Sequence, residues 1–277
     1  MRPYAEVIGD PIAHSKSPLI HGFWLDALGI DADYRRTRVT TETLVAYLEQ
    51  RRADPAWRGC NVTAPLKQAI LPLLDDVPDW VARLGAVNCV LPRDGRLAGH
   101  NSDVDGIAAA IGTKSLSGRK AVVIGAGGAA RAIVHHLGER DATRIRILAR
   151  DPARIEQIRA ASLATARIEA GPLAEPEAAL DGADLIVNAS PLGMDHAAAM
   201  PQALIDALPR AAPDAIVFDM VYDPLDTPLL DAARRLGLPA VDGLTMLVGQ
   251  ADAAFRLFFG RNPPREGDEE LRRRLTA

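Results

Sequence analysis

Lys120-Ala121-Val122-Val123-Ile124 runs without a break into Gly125-Ala126-Gly127-Gly128-Ala129-Ala130, and a helical pattern follows as far as Leu137. No other stretch narrows the folds open to this chain so far. The apolar run predicts a buried strand, and the glycines turn the chain at once into a helix. The first glycine permits the tight turn, and the second lets the backbone approach a pyrophosphate. Ala129 and Ala130 keep helix and strand in close contact. Open amides at the helix start, aided by the helix dipole, then hold phosphate. Further β-rich runs at Arg144–Ala149, Leu185–Ala189, Ile216–Met220 and Pro239–Val241 are mostly separated by helix-length segments. Five such strands predict an α/β fold with a doubly wound, parallel, dinucleotide-binding sheet.

The residue that selects the dinucleotide falls about 20 positions on, at the end of the second strand. NAD enzymes place a carboxylate there for the ribose 2′-hydroxyl. This chain reads Leu148-Ala149-Arg150-Asp151. Arg150 can grip a 2′-phosphate with two N–H groups and stack on adenine, which favours NADP. Asp151 keeps NAD open, since it either accepts from a ribose hydroxyl or caps the following helix.

At 277 residues the chain suits two domains. The part before about Asp103 reads as a mixed α/β domain. Tyr4–Ile8, Asp33–Val39 and Trp57–Thr63 are predicted strands, and Ala86–Leu91 pairs with Arg96–Gly99 through a turn at Pro92 to Gly95. Ser17-Pro18 reads as N-cap and first position of a helix whose apolar face is Ile20, Phe23, Trp24, Ala27 and Leu28, with Gly29 ending it. The expected division is 1–103, completed by 244–277, around a nucleotide domain at 104–243. In this division a strong helix, Thr245–Phe259, packs back on the first domain. The tail from Arg261 reads as a solvated terminal helix.

A net charge of −4 gives no electrostatic reason to expect nucleic acid or an acidic membrane as partner. No run reaches the ~18 apolar residues of a membrane span, and the N-terminus lacks a signal-peptide core. Cys60 and Cys89 cannot form a disulfide framework, and the six histidines do not cluster with cysteines as metal ligands do. The expectation is a reduced, cytoplasmic, metal-free protein, monomer or homodimer, acting on a small molecule.

The first hundred residues carry small polar side chains at strand ends and helix starts: Ser15, Ser17, Asn61, Thr63, Asn88, and His100-Asn101-Ser102-Asp103. Short hydroxyls and amides suit a site that reads several hydroxyl groups. Each also has a structural explanation, Ser17 and Asp103 as caps and Asn88 as the end of a turn. Lys67 is harder to explain structurally, because the dipole disfavours a cation in the first turn of a helix.

Taken in order, these segments resemble the shikimate dehydrogenases along nearly the whole chain. Gly9-Asp10-Pro11-Ile12-Ala13-His14-Ser15-Lys16-Ser17-Pro18, Asn61-Val62-Thr63 with Lys67, Gly85-Ala86-Val87-Asn88, and His100 to Gly106 resemble four of the family's segments. Asn188 to Met194, Asp219 to Pro224, and Gly243 to Gln250 resemble three more. The resemblance implies that Ser15 and Ser17 hold a substrate carboxylate, with Tyr222 nearby. It gives hydroxyl reading to Asn61, Thr63, Asn88 and Gln250, and makes Lys67 and Asp103 the catalytic pair. Ala126 to Ala130, Arg150, Met220 and Gly243 line the cofactor side, with Ser190 and Met194 near the nicotinamide. Three positions depart from the family pattern: Gly22 for a polar residue, Ser102 for Thr, and Ala149-Arg150-Asp151 for Asn-Arg-Thr. The implied activity is reversible NADPH-dependent reduction of 3-dehydroshikimate to shikimate, a step toward chorismate and the aromatic amino acids. Two rivals stand beside it: an NAD-dependent quinate/shikimate dehydrogenase, and an NADP-binding sensor without turnover. A sensor has no use for Lys67 and Asp103.

Overall fold

A computed structural model describes residues 1–113, 115–162 and 166–277. The chain divides into two compact units, Met1–Ser102 with Gln250–Ala277, and Asp103–Gly249.

The first unit contains β1 (Tyr4–Gly9), α1 (Ser17–Ala27), β2 (Asp33–Arg38), α2 (Leu44–Arg52), β3 (Trp57–Val62), α3 (Leu66–Ala69), α4 (Asp79–Leu84), β4 (Cys89–Arg93) and β5 (Arg96–His100). The sheet order is β2-β1-β3-β4-β5. β1 runs parallel to both β2 and β3; β4 is antiparallel to β3, and β5 to β4. That mixture has a functional consequence. The exits of β1 and β3, the entry of β4 and the exit of β5 all fall at one edge of the sheet. Asp94 and Gly95 join β4 to β5 with φ of 50° and 76°, the left-handed pair that a two-residue hairpin turn requires. Ile8, Leu44, Trp57, Cys60, Leu66, Ile70 and Leu97 are buried in one core cluster.

Helix α1 departs from its sequence reading in two ways. Ser17 lies inside the helix, Lys16 occupies the cap position, and no side chain caps the start. The buried face is Ser17, Ile20, His21, Trp24 and Leu25, while Ala27 is exposed. A histidine thus takes a core position that an apolar pattern assigns to its neighbours. Gly29, at φ 61°, follows the helix in the left-handed conformation expected there.

The second unit holds α5 (Asp103–Ile111), β6 (Lys120–Ile124), α6 (Gly128–Glu139), β7 (Arg144–Ala149), α7 (Pro152–Ala161), β8 (Arg167–Pro172), α8 (Glu177–Leu180), β9 (Leu185–Asn188), α9 (Gln202–Ala207), β10 (Ile216–Asp219), α10 (Pro228–Arg235), β11 (Ala240–Val241) and the start of α11 (Gly243–Phe259). Its parallel sheet has the order β11-β10-β9-β6-β7-β8. This is the doubly wound order, with its switch point between β6 and β9. Six strands stand where the sequence pattern predicts five. The extra one, β8, is an edge strand reading Arg-Ile-Glu-Ala-Gly-Pro, with Ile168 and Gly171 buried.

From Gln250 onward the chain belongs to the first unit again. There Phe255 and Phe258 of α11 lie against His21, and Phe255 also meets Trp24 edge-on at 5.6 Å. The tail is not a solvated appendage. Helix α12 (Asp268–Thr276) buries Leu271 and Leu275, and Lys16 Nζ donates to the Leu275 carbonyl at 2.7 Å. No helix among the described residues is long and apolar enough to cross a membrane.

Candidate active site

Sheet topology gathers the polar residues of the first unit. Gly9 ends β1 and leads to Ser15 and Ser17; Val62 ends β3 and leads to Thr63. The Thr63 amide donates to the Ile8 carbonyl at 2.9 Å, so the two exits lie side by side. Ser17 N donates to Ser15 Oγ at 3.3 Å, and Arg36 from β2 clamps the same loop by two bonds to the Ser15 carbonyl, at 2.6 and 2.9 Å. Lys67, half-buried, sits on the first turn of α3, and its carbonyl accepts from Val87 N at 2.9 Å.

Behind these residues runs a buried array of amides and hydroxyls. Asn61 Oδ1 accepts from Tyr34 OH at 2.6 Å, and its Nδ2 donates to the Asn88 carbonyl at 3.2 Å. Asn88 Nδ2 donates to Ser102 Oγ at 3.1 Å, while its Oδ1 accepts from Ser102 N at 2.7 Å. Ser102 Oγ lies 3.5 Å from Gln250 Oε1. Asn61, Asn88, Ser102 and Gln250 are all buried. A desolvated polar group must be bonded or it costs ~1–3 kcal/mol, so mutual bonding holds each side chain in one orientation.

In the second unit the switch point brings two loops together. Gly125 has φ 107°, and a Cβ there would stand 2.9 Å from the Ala189 carbonyl oxygen and from Ser190 Cβ. A side chain at 125 would be strained by its backbone and blocked by its neighbours. Gly127 and Gly128 differ: a Cβ at either would meet nothing within 4 Å. The start of α6 is thus open to a diphosphate over its bare backbone. Ala126 and Ala129 are half-buried and Ala130 buried under the same turn.

Arg150 is exposed at the end of β7, beside a cavity of about 670 Å³ lined by Ala149, Ile155, Pro172, Leu173 and Pro201. Asp151 caps α7, its Oδ1 accepting from Ala153 N at 3.0 Å. That is the structural one of its two sequence readings.

The loops after β9 and β10 share a buried anchor. Asp219 accepts from Asn188 Nδ2 (2.9 Å), Val221 N (3.0 Å) and Thr227 Oγ1 (2.7 Å). Ser190 Oγ donates to Asn188 Oδ1 at 2.6 Å. Burial pushes the Asp219 carboxyl above its usual range, against the pull of these donors. Ser190, Met220 and Tyr222 are half-buried on these loops, and Met194 is 41% exposed. Burial, followed by the Asp223 charge, raises the Tyr222 phenol. Gly243 starts α11 with its amide 3.3 Å from the Val221 carbonyl. Lys67 belongs to the first unit and Asp103, buried at the start of α5, to the second. The site reading from sequence omits Tyr34, Arg36 and Asp219 as supports. Among the described residues, no group of three or more His, Cys, Asp and Glu is arranged to hold a metal ion.

Family models match three parts of the chain: shikimate dehydrogenase substrate binding domain over residues 7–90, shikimate/quinate 5-dehydrogenase over 107–219, and shikimate 5′-dehydrogenase C-terminal domain over 243–271. A shikimate dehydrogenase (NADP(+)) of Sphingopyxis alaskensis is 49% identical over 276 residues, covering 99% of this chain and 97% of that protein. The chain belongs to the shikimate dehydrogenase family. Among solved members of the family, the Thermus thermophilus enzyme in complex with NADP(H) and shikimate is 36% identical, with a TM-score of 0.82 and 99% of each chain covered. The same fold also serves another reaction. A 5-ketofructose reductase of Gluconobacter is 30% identical, with a TM-score of 0.86 and 99% of each chain covered.

Proposed function

We propose that this protein is an NADP-dependent shikimate dehydrogenase, reducing 3-dehydroshikimate to shikimate reversibly. The observation that carries the reading is the buried Asn61–Asn88–Ser102–Gln250 array at one sheet edge, next to the Ser15–Ser17 loop. It offers amides and hydroxyls for several ring hydroxyls, and a loop with two hydroxyls for a carboxylate. Its near relatives carry that same activity in their names.

NADPH would lie with its diphosphate over Gly127 and Gly128, its 2′-phosphate at Arg150, and its nicotinamide end toward Ser190, Met194, Met220 and Gly243. When bound, the cofactor supplies the hydride. Ser15, Ser17 and Tyr222 hold the carboxylate, and Asn61, Thr63, Asn88 and Gln250 fix the ring so that one carbon faces the cofactor. Lys67, with Asp103, gives the new alkoxide its proton or holds its developing charge. By accepting from Ala153 N the Asp151 carboxylate serves as a helix cap, which favours NADP over NAD at this site.

Initial rates followed by NADPH absorbance test the reading, with shikimate and quinate each offered with NADP and NAD, and 5-ketofructose offered with NADPH. Fast shikimate turnover with NADP is the expected result. Quinate turnover with NAD would transfer the chain to the quinate branch. Reduction of 5-ketofructose alone would overturn the substrate assignment and leave the cofactor site standing.

A further inference from the structure

We propose that Tyr34 is a positioning residue for substrate hydroxyl recognition, acting through Asn61; this rests on the function proposed above. Tyr34 lies on β2, behind the site, and its hydroxyl donates to Asn61 Oδ1 at 2.6 Å. The direction of that bond is forced. The Asn88 backbone carbonyl can only accept, so Asn61 must turn Nδ2 toward it. Its Oδ1 then faces Tyr34, which has a single proton and spends it there.

The ring is held as firmly as the hydroxyl. His21 stacks on it with centroids 3.9 Å apart and planes 3° from parallel. His21 is fully buried and neither of its ring nitrogens has a hydrogen-bond partner. Two unpaired nitrogens in a core position cost stability. What the stack provides in return is a tyrosine ring fixed in place, with its hydroxyl held against Asn61. Hydroxyl reading through Asn61 therefore depends on Tyr34, whereas a carboxylate held at the Ser15–Ser17 loop does not.

Tyr34→Phe tests this, since it keeps the stacking ring and removes only the hydroxyl. The KM for shikimate should rise about tenfold, the worth of one lost bond of ~1.4 kcal/mol, while the KM for NADP stays within about twofold. Cyclohexene-1-carboxylate, which has the carboxylate and none of the hydroxyls, should inhibit variant and wild type equally well. Adding Asn61→Ala should raise the KM no further than Asn61→Ala alone. Equal weakening of shikimate and the hydroxyl-free acid would mean general damage and overturn the proposal, as would an unchanged KM or strict additivity. Should the variant fail to fold, ¹³Cζ-tyrosine NMR of the wild-type enzyme decides. The Tyr34 signal, assigned by elimination with Phe at the other tyrosines, should move with shikimate and stay put with NADP; the reverse, or no movement, sinks the idea. A wild type inert toward shikimate removes the underlying function, whereas an active wild type with an indifferent Tyr34→Phe removes this role alone.

Discussion

Lys67 stands on a helix of four residues, Leu66–Ala69, too short to supply a reason for a cation of its own. If it serves the reacting oxygen, Lys67→Ala should lower kcat by about a hundredfold or more. The NADPH affinity, read by fluorescence titration, should not change; parallel loss of the two would count against the assignment. Arg150 and Asp151 are neighbours with opposite expectations. If Arg150 pairs with the 2′-phosphate as proposed, Arg150→Ser should raise the KM for NADP by roughly ten- to a hundredfold and leave that for NAD alone. Asp151→Ala should leave the NADP/NAD ratio unchanged and lower stability by about 1 kcal/mol, the worth of a helix cap. A ratio that follows Asp151 instead would restore the NAD reading. The residues proposed to touch ligands stand out in the sequence because motif spacing marks them. Tyr34, Arg36 and Asp219 do not, since a supporting residue needs only to reach its partner from some other strand. Thus Tyr34 reaches Asn61 from β2, and nothing in the intervening sequence announces the pair.

At the level of elements, the glycine-rich turn and the Asp94-Gly95 hairpin could be read directly, because each depends on a local backbone state that few residues tolerate. The strand β8 could not. It buries only Ile168 and Gly171, too few and too widely spaced for an alternating pattern, and the Gly-Pro at its end reads as a break. Helix α1 slipped by part of a turn for a related reason: His21 and Ser17 are polar letters at buried positions. The tail was underestimated in the same way. Helix α12 is rich in charge, and its two leucines four residues apart are its whole apolar stripe. Leu271 is 1% exposed, so Leu271→Ala should cost about 2–5 kcal/mol, read as a lower urea midpoint. A loss under about half a kcal/mol would return the helix to solvent.

Across the whole molecule, two buried histidines tie stability to pH. Burial holds His21 down at about 3 and His136 at about 4, against an ordinary value of about 6.5. Both folded values lie below the unfolded one, so unfolding takes up protons in acid. Their contribution is fully present above about pH 6.5 and is lost as pH falls toward 4 and 3. Each adds a slope of roughly 1.4 kcal/mol per pH unit inside its window. Asp219, shifted upward, acts with the opposite sign, and its share is lost as pH rises through its folded value. Urea midpoints measured between about pH 7.5 and 5 should therefore fall in wild type and fall less steeply in His21→Phe. Equal slopes would mean that His21 does not titrate on unfolding.

The first unit is assembled from two separated stretches, Met1–Ser102 and Gln250–Ala277, and this imposes an order in time. A ribosome adds roughly 5–20 residues per second, and it completes Asp103–Gly249 before it makes the aromatic residues that cover His21. The nucleotide unit is one unbroken stretch and needs no later residue to close. Its elder neighbour must wait, with Tyr34 and the Asn61 array unsealed, for residues that are made only after the whole of the nucleotide unit.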